Sequence, residues 1–304
     1  MRVVCIGECM VEFARSDDGL WVQGFAGDTL NVAWAMRALM PGGAGVDYLT
    51  RVGMDPMSEA MVAMLSGAGI GTAHVGRDPE RSIGLYTTQT DAQGERSFAY
   101  WRDMSAARRL AAEGGALEAA MTGADLVYLS GITLAILPAA DRARLLAHLG
   151  ERGKRGWRVA FDPNIRPRLW EDMQTARAVI MQAAGRADIL LPTHEDEAAA
   201  FGDGGAGETL RRYAGAGVPE VVVKDGVRPT HWRCGAAQGL CPVLPAARVI
   251  DTTGAGDGFN GGYLAARLGG QGAEAAVGQA QRVAARVVAV RGALVPMADL
   301  AVQG

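Results

Sequence analysis

The feature that most restricts the fold is an alternation. Short apolar runs at residues 3–6, 48–52, 126–130, 158–161, 189–191 and 220–223 carry Val, Ile, Leu and aromatic side chains. Segments with apolar residues at helical spacing lie between them, at 30–39, 56–68, 138–152, 173–184 and 195–201. A strand that is apolar at every position has no polar face for water, so it must be covered on both sides. Such strands alternating with helices predict βαβ units, hence an α/β fold with a mostly parallel central sheet and helices on both faces. The length of 304 residues suits one large domain or two. With no linker rich in proline or serine, a single domain spanning residues 1–304 is expected.

Two stretches break the rhythm. Residues 10–25 and 82–101 alternate apolar with polar or aromatic positions, as in Gly84-Leu85-Tyr86-Thr87-Thr88-Gln89-Thr90. Asp91-Ala92-Gln93-Gly94 then turns the chain into Arg96-Ser97-Phe98-Ala99-Tyr100-Trp101-Arg102. This is a hairpin pattern with one face reserved for a partner layer. It predicts a small β lid built from about 8–26 and 82–103, although an ordinary edge hairpin would show the same pattern. A lid of this kind commonly closes over a site.

Composition excludes several classes of function. Thirty basic against 33 acidic residues give a net charge of −3, and the six tryptophans do not interleave with basic clusters, so no nucleic-acid partner is expected. The apolar start Val3-Val4-Cys5-Ile6 is cut by Gly7 and Glu8, and no later window holds eighteen uncharged apolar residues. The expectation is a cytoplasmic protein with no membrane partner. Cys5, Cys9, Cys234 and Cys241 lack CxxC spacing and nearby histidines, and His74, His148 and His231 stand alone. No residue is assigned as a direct metal ligand on that basis. GxxxxGK[ST], HExxH and GxSxG are absent, and the first strand ends Gly7-Glu8-Cys9 without GxGxxG.

One phrase stands out: Asp251-Thr252-Thr253-Gly254-Ala255-Gly256-Asp257, between a β-branched run and an amphipathic helix. Small residues at a helix start let successive N–H groups converge on one anion. A carboxylate at that spot would repel a bound phosphate. It makes sense if Asp257 takes a proton from a hydroxyl while the amides of Gly254, Ala255 and Gly256 hold the phosphoryl group in transfer. A helix merely capped by an acidic first turn remains the alternative.

That phrase resembles the C-terminal DTxGAGD signature of the ribokinase-like (PfkB) carbohydrate kinases. Gly24-Phe25-Ala26-Gly27-Asp28-Thr29-Leu30-Asn31 resembles the family's GGxxxN phrase, with Ala26 in place of the first glycine. The resemblance implies that Gly27, Asp28 and Asn31 meet sugar hydroxyls, that Asp257 is the catalytic base, and that the fold is ribokinase-like. It also places nucleotide-side loops at Asp162-Pro163-Asn164 and Val223-Lys224-Asp225-Gly226, implying ATP contacts from Asn164, Lys224 and Gly226. Thr193-His194-Glu195-Asp196-Glu197 stands where relatives show NxxE, which organises Mg2+ through water. Which of Glu195, Asp196 and Glu197 does so is left open, as is a monovalent cation near Asp251.

Within the family the likeness is nearest to the 2-keto-3-deoxygluconate kinases. It is carried by Gly7-Glu8-Cys9-Met10-Val11-Glu12, Tyr100-Trp101-Arg102, Leu129-Ser130-Gly131-Ile132 and Asn164-Ile165-Arg166-Pro167-Arg168-Leu169-Trp170. Their substrate is a 2-keto acid, and a planar guanidinium suits a carboxylate. Arg102 and Arg166 are therefore expected at the acid end, with Tyr86 and Tyr100 on the lid side. A solvated Arg102, and an Arg166 spent on a loop ion pair or on nucleotide, remain alternatives. The expected partners are ATP, a sugar acid and a second copy of the chain meeting it through the lid. A neutral-sugar kinase such as a fructokinase or ribokinase, or a non-catalytic sugar-acid-binding regulator, would share much of this sequence.

Overall fold

A computed structural model describes residues 1–16, 18–90 and 96–301. In chain order the strands are β1 (Arg2–Ile6), β2 (Met10–Arg15), β3 (Trp21–Ala26), β4 (Gly45–Val52), β5 (Val75–Arg77), β6 (Gly84–Thr90) and β7 (Arg96–Trp101). They continue with β8 (Leu126–Ser130), β9 (Arg158–Asp162), β10 (Ile189–Leu190), β11 (Glu220–Val223), β12 (Thr230–Cys234) and β13 (Ala237–Cys241). A nine-stranded sheet runs in the order β13-β12-β11-β10-β9-β8-β1-β4-β5, and a second sheet in the order β3-β2-β6-β7.

From β11 to β5 every neighbouring pair is parallel. The all-apolar runs of the sequence explain why. Val4, Ile6, Val127 and Leu129 point into one buried cluster, while Val3, Cys5, Leu126 and Tyr128 point into the other. Period-2 side chains thus feed two cores, one on each face of the sheet.

The chain leaves β1 for β4 on one side and returns to β8 on the other. In an open α/β sheet that reversal opens a crevice at the carboxyl ends of the strands, where ligands bind.

The hairpins predicted at 10–25 and 82–101 form the second sheet. β2 pairs antiparallel with β3, and β6 with β7. Their union was not legible: β2 and β6 meet in parallel, Met10 against Gly84. The predicted turn at Asp91–Gly94 lies outside the described residues. A second departure is the antiparallel edge β11-β12-β13, whose strands mix polar and apolar positions and whose turn is made by Gly235 at φ +58°. The helix expected over 138–152 ends at Gly150, and a separate short helix, Arg152–Arg155, stops at left-handed Gly156.

Part of the glycine excess serves close helix packing. The helix Ala255–Leu268 lies between Asp28–Leu39 and Ala273–Val287. A Cβ on Gly261 would come within 2.5 Å of Ala35 Cβ, and one on Gly262 within 2.9 Å of Val283 Cγ2. Each helical glycine costs about 1 kcal/mol against alanine, and here that cost allows the backbones to approach. Among the described residues, no helix is long and apolar enough to cross a membrane.

Candidate active site

A cavity of about 560 Å3 opens where the small sheet faces the carboxyl ends of the parallel strands, a volume typical of a small-molecule site. Gly27, Asp28, Asn31, Tyr86, Tyr100, Arg102, Asn164, Arg166, Lys224, Gly254, Ala255, Gly256 and Asp257 all line it. Glu197 and Asp251, the candidates for ion binding, are not part of this wall, and neither is Gly226. It occupies the loop after β11 at φ +60°.

The floor is the start of the helix Ala255–Leu268. Gly254, at φ +75°, is its N-cap, and a Cβ there would lie 2.8 Å from Ala293 Cβ. Only glycine satisfies both constraints. The Ala255 N–H donates to the Thr252 carbonyl at 3.2 Å, closing a turn. The expected array of three amides is therefore reduced, because the Ala255 donor is already engaged. The N–H groups of the first helical turn beyond it have no carbonyl four residues back within the helix.

Asp257 stands in that turn. Its Oδ2 accepts from Asn31 Nδ2 at 2.8 Å across the helix interface. Enclosure pushes its carboxyl up to about 7, and the neighbouring Asp28 charge adds to the rise. Asp28 is also raised by burial, against hydrogen bonds from Ser130, Thr29 and Asn164. Asn164 Nδ2 donates to Asp28 Oδ2 at 2.8 Å. Asn164 itself has φ +34°, a left-handed conformation that asparagine tolerates better than most residues.

Three predicted cationic ligands are already committed to protein partners. Lys224 Nζ donates to Asp162 Oδ2 at 2.7 Å and to Asn260 Oδ1 at 3.0 Å. It still sits beside the helix start, since a Cβ on Gly256 would be 3.7 Å from that ammonium. Arg102 is buried, not solvated, and forms an ion pair with Glu8. Arg166 donates through Nη1 to both oxygens of Asp196, at 3.0 and 2.9 Å.

Tyr86 spends its hydroxyl on Glu12 Oε1 at 2.7 Å, so it offers the cavity mainly its ring. That ring lies 5.7 Å from the ring of Tyr100, which is half exposed.

The acidic cluster at 195–197 separates. Glu195 and Asp196 line the cavity. Glu197 turns away into the protein, accepting from Arg212 at 2.7 Å and Tyr213 at 2.9 Å. Burial raises its carboxyl to about 7. Asp251, expected near a monovalent cation, accepts from the N–H groups of Thr253 and Gly292.

Glu8 was missed as a site residue. Its signal was present: a charge directly after the buried run Val3-Val4-Cys5-Ile6 and Gly7 marks the carboxyl end of a strand. Asp162 was placed in a nucleotide-side loop, yet it serves as the anchor for Lys224.

The family model for pfkB family carbohydrate kinase matches residues 1–299. The chain is 39% identical over 302 residues to a 2-dehydro-3-deoxygluconokinase of Dickeya dadantii, covering 97% of each. A PfkB protein from Polaromonas sp. JS666 superposes with a TM-score of 0.86 at 28% identity, over 99% of each chain. A fructokinase from Vibrio cholerae O395, solved with fructose, ADP and calcium ion, superposes at 0.84 with 25% identity. That match covers 97% of this chain and 95% of the fructokinase. With the family's model spanning nearly every residue, and its signature aspartate on the floor of the cavity, this chain belongs to the pfkB family of carbohydrate kinases.

Proposed function

We propose that the chain transfers the γ-phosphoryl group of ATP to the C6 hydroxyl of 2-keto-3-deoxygluconate, releasing ADP and the 6-phosphate. One observation carries this reading. A single cavity joins Asp257 and a helix start on its floor to two arginines, Arg102 and Arg166, on its walls. The first pair suits phosphoryl transfer to an alcohol. The second suits an anionic sugar, and the similarity to the Dickeya dadantii enzyme over nearly its full length supports that substrate.

Asp257 takes the C6 proton as the oxygen attacks the γ-phosphorus, and the bond from phosphorus to the ADP oxygen breaks. Main-chain donors at the helix start, with the Lys224 ammonium beside them, hold the phosphoryl oxygens. Gly27, Asp28 and Asn31 orient the sugar, Tyr86 and Tyr100 cover it, and Asn164 and the Gly226 loop lie toward the nucleotide. Mg2+ favours one or two carboxylates together with water and phosphate oxygens. The donor set fits that habit: Glu195 is exposed at the cavity and Asp196 lies next to it, and they would hold the ion through water. When bound, it offsets charge on the phosphates. A monovalent cation near the Asp251 loop belongs to the same reading and predicts a faster rate in potassium than in tetramethylammonium salts.

A neutral-sugar kinase is the second reading, and the Glu8 carboxylate on Arg102 favours it by cancelling the charge meant for the acid. A coupled ADP-release assay separates the two. Turnover on 2-keto-3-deoxygluconate well above that on fructose and ribose is the expected result, preference for fructose or ribose overturns it, and the C4 epimer assayed beside them measures the epimer preference. Sugar-acid binding with no ADP release on any of them would indicate a regulator. Leu20, Trp21, Val22 and Trp101 are exposed on the small sheet, which supports a homo-oligomer joined there. Sedimentation of wild type against Trp101→Glu tests it.

A further inference from the structure

Behind the cavity wall at Asp162 and Lys224 lies a knot of side chains that the signature phrase does not explain. Asn260 has no exposure and lies three residues beyond Asp257 on the same helix face. Its Nδ2 donates to Asp162 Oδ2 at 2.6 Å and to the Tyr128 hydroxyl at 3.2 Å, and its Oδ1 accepts from Lys224 Nζ at 3.0 Å. Tyr128 lies in β8, Asp162 ends β9, and Lys224 follows β11. One amide therefore ties three strands to the helix that carries Asp257. The chemistry is specific, because the side chain must give protons to a carboxylate while accepting one from an ammonium. An amide does both at once, whereas a carboxylate or an alkyl group does not.

The location gives the knot its meaning. Gly254, Ala255 and Gly256 have no side chain long enough to fasten the helix start, and Asp257 is held by Asn31 from a neighbouring helix. Asn260 is the next polar side chain along, and its partners are strand ends at the edge of the cavity.

We propose that Asn260 is a positioning residue for phosphoryl transfer: by bridging Asp162 and Lys224 it fixes the first helical turn, and with it Asp257, against the strand ends. This rests on the reading of Asp257 as the base. Asp257 is faced by Asp28 from the helix Asp28–Leu39, by Asp162 from β9, by Lys224 after β11 and by the Tyr128 hydroxyl from β8. Lys224 in turn is faced by Asp162, Asn260, Asp257 and Asp196.

Misplacing a reacting group by about 1 Å can cost ~10²-fold in rate. Asn260→Leu keeps the branched outline but loses every bond, so kcat should fall by ~10² while KM for the sugar acid stays within about threefold. Asn260→Asp is isosteric and sets a second carboxylate against Asp162. The added negative charge opposes ionisation of Asp257, so the acid limb of kcat/KM should move to higher pH. A merely structural role would lower the melting temperature of Asn260→Leu and leave kcat per folded molecule at the wild-type value. Wild-type kcat in Asn260→Leu, or an unmoved limb in Asn260→Asp, overturns the proposal; the second variant decides if the first does not fold. Asp257→Asn assayed in parallel keeps the two ideas apart. Normal turnover there removes the base itself, whereas its loss beside a normal Asn260→Leu removes only the positioning role.

Discussion

The two walls of the cavity are built on opposite principles. Under Asp257, each polar side chain is tied to another: Asn31 to Asp257, Asn164 to Asp28, Lys224 and Asn260 to Asp162. Across the cavity, the small sheet presents Tyr100 at 52% exposure and Phe98 at 41%, with Arg102 anchored to Glu8 from the first strand connection. A transferring phosphoryl group requires fixed geometry, and satisfied buried networks supply it. A sugar must enter and leave, and an exposed four-stranded sheet with few buried contacts opens at lower cost. The floor is therefore suited to chemistry and the sheet to selection.

Substitutions can break that contrast, and the largest effect belongs to the floor. Asp257→Asn should cut kcat by ~10²–10⁴ with sugar-acid KM little changed, measured by coupled ADP release; a kcat near wild type would place the base elsewhere. Gly254→Val forces a side chain into left-handed backbone and against Ala293. A loss of ~10² in kcat is expected, and full activity would mean that the helix start need not be held.

On the sheet side, Arg102→Leu removes one charge-assisted contact, about 1.5–3 kcal/mol. KM for the acid should rise by roughly tenfold or more, with little change for fructose. Equal losses on both substrates would dissolve the distinction between the walls. Tyr100→Ala should be milder still, a few-fold in KM, because its ring is half solvated.

The pH dependence sharpens the same contrast. As the proposed base, Asp257 would have to be ionised, and it is pushed up to about 7, so kcat/KM should fall as pH drops below that value. For stability the sign is opposite. Between its ordinary value of 3.8 and about 7, the folded state holds a proton on Asp257 that the unfolded state has released. Stability therefore declines as pH rises through that window. Asp257→Asn should flatten this decline in thermal unfolding, and an unaltered slope would assign the proton to another group.

Much of the fold was legible because all-apolar runs such as Leu126–Ser130 admit few placements other than a strand buried on both faces. The helix predicted at 173–184 appears as Met173–Ala184 for a similar reason: its apolar period is clean, and Asp172 caps it by accepting from Thr175. The parallel meeting of β2 and β6 was not legible, since pairing partners 74 residues apart leave no local trace. The same limit applies within the site. Glu8 and Arg102 are 94 residues apart, and Asp162 and Asn260 are 98 apart.

By itself, the chain specified its family, the parallel strands of its main sheet, many of the residues that line the cavity and the glycine-rich start of one helix, because local pattern and spacing carry these. Tertiary structure alone decided what each charge does. It turned Glu197 inward onto Arg212, set Glu8 on Arg102, and gave Asn260 a carboxylate and an ammonium to bridge. The physical reason is that a buried polar group is defined by its partner, and the partners are brought together only when distant strand ends converge.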